Sequence, residues 1–182
     1  MTTPADVPRA TPSPGAPALS DQGIQLDQGI QPGHGPDATG TVPARLFTAI
    51  DHVGVAVPDF DAAVDFYQRV FGMRLVHEEV NEEQGVHEAM LAVGGSGSCV
   101  QLLAPLRSDS TIARFLDRSG PGLQQVAYRV DDVEAVSAAL RERGVRLLYD
   151  APRRGTAGSR INFVHPKDAG GVLVEIVEPA GS

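Results

Sequence analysis

Four side chains that could coordinate a metal ion recur in this chain as two pairs with nearly equal spacing. The interval from His52 to Gln125 is only one position shorter than the interval from Gln101 to Glu175. Imidazole nitrogen and amide or carboxylate oxygen are all recognised metal donors. Glu175 lies within an otherwise apolar segment, and a buried carboxylate needs a cation or strong hydrogen-bond donors. The four residues are therefore candidates for one metal site.

The segments around these residues are repeated as well. IDHVGVAVPD (residues 50–59) returns as LQQVAYRVDD (123–132), and VQLLAP (100–105) returns as VEIVEP (174–179). Such repetition indicates a duplicated supersecondary unit. A two-fold relation between the two copies would bring the four candidate ligands together on one axis.

Each copy is predicted to contain a strand, a helix and further strands. Residues 60–71 and 133–140 have apolar side chains at helical spacing, preceded by Asp and followed by Gly72 or Gly144. Alternation predicts strands at Ile50–Val57, Arg74–Val80, His87–Val93, Ser98–Leu103, Val145–Tyr149, Ser159–His165 and Val172–Val177. Alternate strand residues share a face. One face is therefore apolar and faces the helices, whereas the other combines polar and small side chains around a cavity.

The first 46 residues differ from the rest. They hold 8 of the 14 prolines and 6 of the 20 glycines, and they have few bulky apolar side chains. Such a composition cannot bury enough surface to offset the entropy of ordering. We therefore expect a disordered Pro/Gly-rich tail over residues 1–46 and one domain over 47–182. The domain divides into a first module (47–105), a linker helix (106–122) and a second module (123–180).

Composition also limits the partners. The net charge of −8 argues against nucleic acid, and no apolar run is long enough for a membrane span or a signal peptide. The single Cys99 excludes an intramolecular disulfide and suits the reducing cytoplasm. Four basic residues cluster locally and form either a solvated loop or an anion-binding rim: Arg153, Arg154, Arg160 and Lys167.

Residues 47–180 resemble the vicinal oxygen chelate superfamily (the glyoxalase fold), and within it the methylmalonyl-CoA epimerases. The segments that carry the resemblance are IDHVGVAV, EVNEEQGVHEAM, VQLLAPL, DSTIARFL, LRERGVRLLYD and SRINFVHPKDAGGVLVEIVE. The resemblance implies an α+β fold in which two tandem βαβββ modules form a curved mixed sheet around a metal cavity. It also implies a homodimer.

The resemblance implies one divalent metal ion held by His52, Gln101, Gln125 and Glu175. At the third position the family pattern has the second His of an HH pair, whereas this chain has Gln124-Gln125. One nitrogen and three oxygens favour Co²⁺, Mn²⁺ or Mg²⁺ over Zn²⁺. The same replacement argues against a redox iron site of two His and one carboxylate.

The resemblance further implies an isomerase of propionate metabolism that interconverts (2R)- and (2S)-methylmalonyl-CoA through an enolate. Glu88 stands at the position of the family's catalytic glutamate, and Glu175 is expected to act both as ligand and as second base, with a water molecule as the alternative base. Gln84 and Arg154 are expected to contact the acyl-CoA substrate. Two alternatives are a glyoxalase-like lyase and a metal-poor binding protein of the same fold.

Overall fold

The computed structural model describes residues 46–181, so the expected tail lies outside the described residues except for Leu46. Three helices and eight strands are present among the described residues. In chain order they are β1 (Ala49–Ala56), α1 (Phe60–Phe71), β2 (Arg74–Asn81), β3 (Val86–Ala92), β4 (Cys99–Pro105), α2 (Thr111–Ser119), β5 (Gly122–Arg129), α3 (Val133–Glu142), β6 (Arg153–Arg154), β7 (Arg160–Val164) and β8 (Leu173–Glu178). Two 3₁₀ turns, Thr156–Gly158 and Pro166–Asp168, flank β7.

All eight strands form one mixed sheet with the order β2-β3-β4-β1-β5-β8-β7-β6. The pairs β1–β4 and β5–β8 are parallel, and the central pair β1–β5 is antiparallel. The strand order of the second half mirrors that of the first, as a two-fold axis between β1 and β5 requires. The predicted α+β fold of two βαβββ modules in one curled sheet is confirmed.

The two module helices cover the apolar face of the sheet. Asp59 caps α1 by accepting a hydrogen bond from the Ala62 backbone N–H, and Asp132 caps α3 in the same way. Gly72 ends α1 with a φ of 67°, a left-handed conformation that favours glycine. Under α1 and α3 lie two apolar clusters, centred on Leu91 and Leu102 and on Val133, Val136 and Ile176. Packing on this side leaves the polar face of the sheet open to a cavity.

One predicted strand, Val145–Tyr149, is wrong. This segment forms only an isolated bridge between Leu147 and Val164, and the sixth strand is the two-residue β6 further on. Two backbone hydrogen bonds join the segment to the β7 region, from Leu148 N–H to the Phe163 carbonyl and from His165 N–H to the Arg146 carbonyl, and side chains bind the backbone groups of Tyr149. Asn162 accepts from the Tyr149 N–H and donates to its carbonyl, and Arg141 also donates to that carbonyl. None of the helices within residues 46–181 is long and apolar enough to cross a membrane.

Candidate active site

The four candidate ligands meet at one point on the polar face of the sheet, and all are buried: His52, Gln101, Gln125 and Glu175. The Gln125 Nε2 atom lies 3.4 Å from His52 Nε2 and 3.4 Å from Gln101 Oε1, and it contacts Glu175 Oε2. His52 Nε2 lies 3.2 Å from the same Glu175 oxygen. The side chains come from four different strands of the two modules, so the duplicated architecture itself assembles the cluster.

Asp51 contacts the ring nitrogen of His52 that does not face the cluster. The Asp51 Oδ1 atom lies 3.0 Å from His52 Nδ1, and Arg129 Nε donates to Asp51 Oδ2 over 2.8 Å. Burial lowers the pKa of His52, but the hydrogen bonds and charges of Asp51 and Glu175 outweigh burial and raise this pKa to about 9. The imidazole therefore sits in a strongly negative environment that suits a positive charge.

Glu88 adjoins the cluster. Its Oε2 atom accepts a 2.9 Å hydrogen bond from Gln101 Nε2, which also donates to Thr156 Oγ1 over 2.9 Å. Burial raises the pKa of Glu88, and the neighbouring Glu79 carboxylate raises it further, to about 7. A carboxyl group with a pKa near neutrality can both accept and return a proton at physiological pH.

A divalent cation fits this donor set. Because the Gln101 amide nitrogen is engaged with Glu88 and Thr156, its Oε1 atom is left facing the cluster. The Gln125 NH₂ group lies at the point toward which the other three side chains turn. A half-turn of this amide would present its oxygen instead. Among residues 46–181 no group of three or more His, Cys, Asp or Glu could hold a metal, so the site depends on its two amides.

A cavity of about 340 Å³ opens beside the cluster and reaches Glu88, Gln101, Gln125 and Glu175. The expected substrate contact Gln84 lies in its wall, and the Gln84 backbone N–H donates to the Asn81 side chain. Three arginines also line the cavity: Arg107, Arg114 and Arg153.

Arg154 is not among the cavity-lining residues. It pairs with Arg160 in the β6–β7 ladder, whereas the preceding Arg153 faces the cavity and lies over the Tyr149 ring at 3.9 Å. Neighbouring residues of a strand point to opposite sides, so only one of the two arginines can face the cavity. The geometry gives no support to the expected role of Arg154 and favours Arg153.

Sequence reasoning missed two polar neighbours of the site, Asp51 and Thr156. Strict alternation along β1 assigns Asp51 to the face opposite His52, and nothing in the sequence marks the departure from it. Thr156 is far from Gln101 in the chain and lies in a turn without a periodic pattern. The one available signal is its setting between Gly155 and Gly158, because glycines allow the close backbone approach of such a turn.

Comparison with known proteins gives a family and close relatives. Residues 51–163 match the Glyoxalase/Bleomycin resistance protein/Dioxygenase superfamily. The crystal structure of methylmalonyl-CoA epimerase from Mycobacterium tuberculosis is 58% identical with a TM-score of 0.73, over 76% of this chain and 93% of that chain. A Streptomyces coelicolor methylmalonyl-CoA epimerase variant in complex with 2-nitronate-propionyl-CoA is 49% identical with a TM-score of 0.71, over 74% and 99%.

A curated relative from Cereibacter sphaeroides extends the same similarity. This ethylmalonyl-CoA/methylmalonyl-CoA epimerase is 33% identical over 129 residues, which are 70% of this chain and 95% of the relative. The family match covers more than half of the chain, and the relatives are matched over nearly their whole length. The chain therefore belongs to the Glyoxalase/Bleomycin resistance protein/Dioxygenase superfamily.

Proposed function

We propose that this chain is an isomerase that interconverts (2R)- and (2S)-methylmalonyl-CoA. The observation that carries the proposal is one buried, protonatable carboxylate, Glu88, hydrogen-bonded to a four-donor cluster at the wall of a cavity. Homologues that match most of this chain are methylmalonyl-CoA epimerases, and one of them binds an analogue of the acyl-CoA substrate.

The chemistry requires a base beside C2 of the substrate. C2 lies between a thioester and a carboxylate, so removal of its proton leaves an enolate with charge on the thioester oxygen. Glu88 would take the proton, and the C–H electron pair would move into the thioester carbonyl. A proton delivered to the opposite face of the flattened carbon then gives the other epimer. Glu175 is proposed as the second acid–base group, with a water molecule as the alternative.

Epimerases of this family typically bind a divalent metal ion. We propose His52, Gln101, Gln125 and Glu175 as its ligands, with Co²⁺, Mn²⁺ or Mg²⁺ favoured over Zn²⁺ because three of the four donors are oxygens. When bound, the ion would supply positive charge that stabilises the developing enolate. The hydrogen bonds from the Gln101 amide nitrogen to Glu88 and Thr156 orient the Gln101 oxygen toward this site.

Arginines at the cavity support binding of the coenzyme A phosphates. The Arg107 guanidinium already has partners within the protein, because it donates to the Glu82 and Glu83 carbonyls and pairs with Asp109. Arg153 lies over Tyr149 and lines the cavity. We therefore propose Arg153 as the phosphate contact and Gln84 as a further contact to the substrate. A homodimer and a cytoplasmic location remain predictions from the sequence.

Deuterium exchange tests the function. Purified protein is incubated with methylmalonyl-CoA in D₂O, and label at C2 is followed by mass spectrometry. We expect rapid labelling that EDTA suppresses. Glu88→Gln should slow the exchange by about 10²- to 10⁴-fold, the typical contribution of a general base, while Co²⁺ binding is retained.

The matched control is Glu78→Gln. Glu78 lies on β2 and pairs with His87 on the surface, away from the cavity. Its variant should exchange at the wild-type rate. Labelling no faster than the spontaneous rate in the wild-type protein would contradict the proposed function and leave a binding protein of the same fold. Full exchange in the Glu88→Gln variant would contradict the role of that residue alone.

A further inference from the structure

Asp51 lies beside His52 because of an irregularity in the central strand pair. Ile50 pairs with Tyr128 and His52 pairs with Ala127, so β1 has one residue more than β5 at this point. The extra residue is Asp51, and the irregularity is therefore a β-bulge. Bulges redirect side chains and are frequent beside functional sites. In a regular strand Asp51 and His52 would point to opposite faces.

The bulge allows the Asp51 carboxylate to make two directed contacts. One oxygen lies 3.0 Å from His52 Nδ1, and the other accepts a 2.8 Å hydrogen bond from Arg129 Nε. The Asp51 side chain is 13% exposed, so both contacts are partly protected from water. Arg129 also donates to the Gly97 carbonyl, which fixes the guanidinium in place. The Asp51 carboxylate can therefore accept a hydrogen bond from His52 Nδ1 without turning toward solvent.

We infer that Asp51, held by Arg129, is a positioning residue that fixes the tautomer and ring orientation of His52. With the proton on Nδ1 engaged by Asp51, Nε2 is the ring nitrogen that faces Gln125 and Glu175, and it can coordinate a cation that displaces its proton. Hydrogen-bond partners of this kind orient metal-binding imidazoles and make them more basic. The inference rests on the metal site of the proposed function.

The second module supports this assignment by contrast. There the bulge lies on β5, because Gly54 pairs with Gln125 and Val55 pairs with Leu123, and the extra residue is Gln124. The Gln124 Oε1 atom is buried without a hydrogen-bond partner within the described part of the chain. Gln125 has no second ring nitrogen for a neighbour to hold. Of the two bulge residues, only Asp51 carries a charge, and it lies beside the ligand whose tautomer must be chosen.

Asparagine at position 51 gives a diagnostic variant. Arg129 requires an acceptor, so the amide oxygen of the new side chain should face Arg129 and its NH₂ group should face His52 Nδ1. An NH₂ group donates to the unprotonated Nδ1 and therefore favours a proton on Nε2, the wrong tautomer for coordination. Asp51→Ala removes the contact without imposing this tautomer. Asparagine should consequently be the more damaging substitution, although it is closer in shape.

The test is Co²⁺ titration of the metal-free, full-length protein by calorimetry. We expect Asp51→Asn to weaken Co²⁺ binding by about 10- to 100-fold, and Asp51→Ala to weaken it less. In a His52→Ala background the Asp51→Asn change should have no further effect, because Asp51 acts through His52. Asp168→Asn, which removes a remote arginine–carboxylate pair, should leave Co²⁺ affinity unchanged.

Several results would overturn the inference. Co²⁺ affinity within twofold of wild type for Asp51→Asn would do so, as would equal losses in both backgrounds or a larger loss for alanine than for asparagine. Unchanged affinity in His52→Ala would remove His52 from the metal site altogether. None of these results depends on turnover, whereas the proposed function fails only in the deuterium exchange experiment, so the two failures are distinguishable.

Discussion

In the first module the bulge of β1 places a carboxylate, Asp51, beside an imidazole; in the second module the bulge of β5 places an amide, Gln124, beside another amide. The strand order and the bulge positions are thus repeated, but the side chains are not. The same holds for Glu88, whose counterpart in the second copy is the fully buried Asn162. The Asn162 side chain forms hydrogen bonds with the Tyr149 backbone and has a structural role. Duplication preserved the scaffold, and divergence of single positions separated chemical from structural roles.

The central strand pair shows the same divergence in its small residues. Gly54 pairs with Gln125, and its counterpart Ala127 pairs with His52. A Cβ atom at Gly54 would lie 2.7 Å from Gln125 Cγ, a distance that forces one of the two to move. Ala127 is fully buried, and its methyl group is accommodated opposite His52. The Gln125 side chain therefore needs a glycine where the His52 side chain tolerates an alanine.

Gly54→Ala should be the most damaging change to this pair. The added methyl group must displace Gln125 from the cluster, so we expect a loss of stability of about 1–3 kcal/mol, typical of overpacking, together with weaker Co²⁺ binding. Urea unfolding and calorimetric titration measure the two effects. The converse change, Ala127→Gly, should cost at most about 1 kcal/mol and leave Co²⁺ affinity intact. Equal effects of the two substitutions would show that the central pair is symmetric after all.

Gln125→His would make the two modules more alike. The donor set would change from one nitrogen and three oxygens to two of each, and added imidazole favours Co²⁺ and Zn²⁺ over Mg²⁺. We expect Co²⁺ and Zn²⁺ to bind about tenfold more tightly, which is ~1.4 kcal/mol, without a gain for Mg²⁺. Competition titrations measure the three affinities. Gln124→His, one residue earlier, is the control and should give no gain; a uniform gain for all three ions would contradict the assignment of Gln125 as a ligand.

The sequence sufficed for the fold class and for the convergence of the four side chains, although the strand predicted at Val145–Tyr149 was wrong. The nearly equal intervals between the paired residues implied a duplication, and strand alternation placed His52, Gln101 and Glu175 on one face. Both inferences depend on periodicity, which is a property of the sequence itself. The sheet order and the buried cluster agree with them.

Alternation could not predict the bulges, because a bulge is a local departure from the pattern by which strands are recognised. Asp51 was missed for this reason. Thr156 was missed because its contact with Gln101 joins a loop of the second module to a strand of the first. The sequence could not choose between adjacent arginines, of which Arg153 and not the predicted Arg154 lines the cavity. The contacts that sequence reasoning missed are those made by irregular backbone.

A smaller difference between the modules lies at the loop before β8. Asp168 accepts hydrogen bonds from the Arg146 side chain and backbone N–H, and these hold the pKa of the Asp168 carboxyl well below its usual range. The equivalent positions of the first copy are occupied by Gly94 and Gly95, so the first module has no counterpart of this carboxylate. At this loop, therefore, only the second module should gain acid-sensitive stability from an arginine–carboxylate pair.

Asp168→Asn should lower the free energy of unfolding at pH 7, and this loss should shrink in acid. Because the pKa is depressed in the folded state, the stabilisation is complete above the usual aspartate pKa of about 3.9 and decreases as the pH falls toward the lower folded value. Urea midpoints of the wild type and the variant at pH 7 and pH 3 measure the change. Asp65→Asn removes an exposed pair with Arg69 in the first module and should have almost no effect at either pH. If Asp168→Asn lowered the free energy of unfolding by as much at pH 3 as at pH 7, the side chain would act through its shape and not through its charge. The proposed electrostatic difference between the two modules would then be wrong.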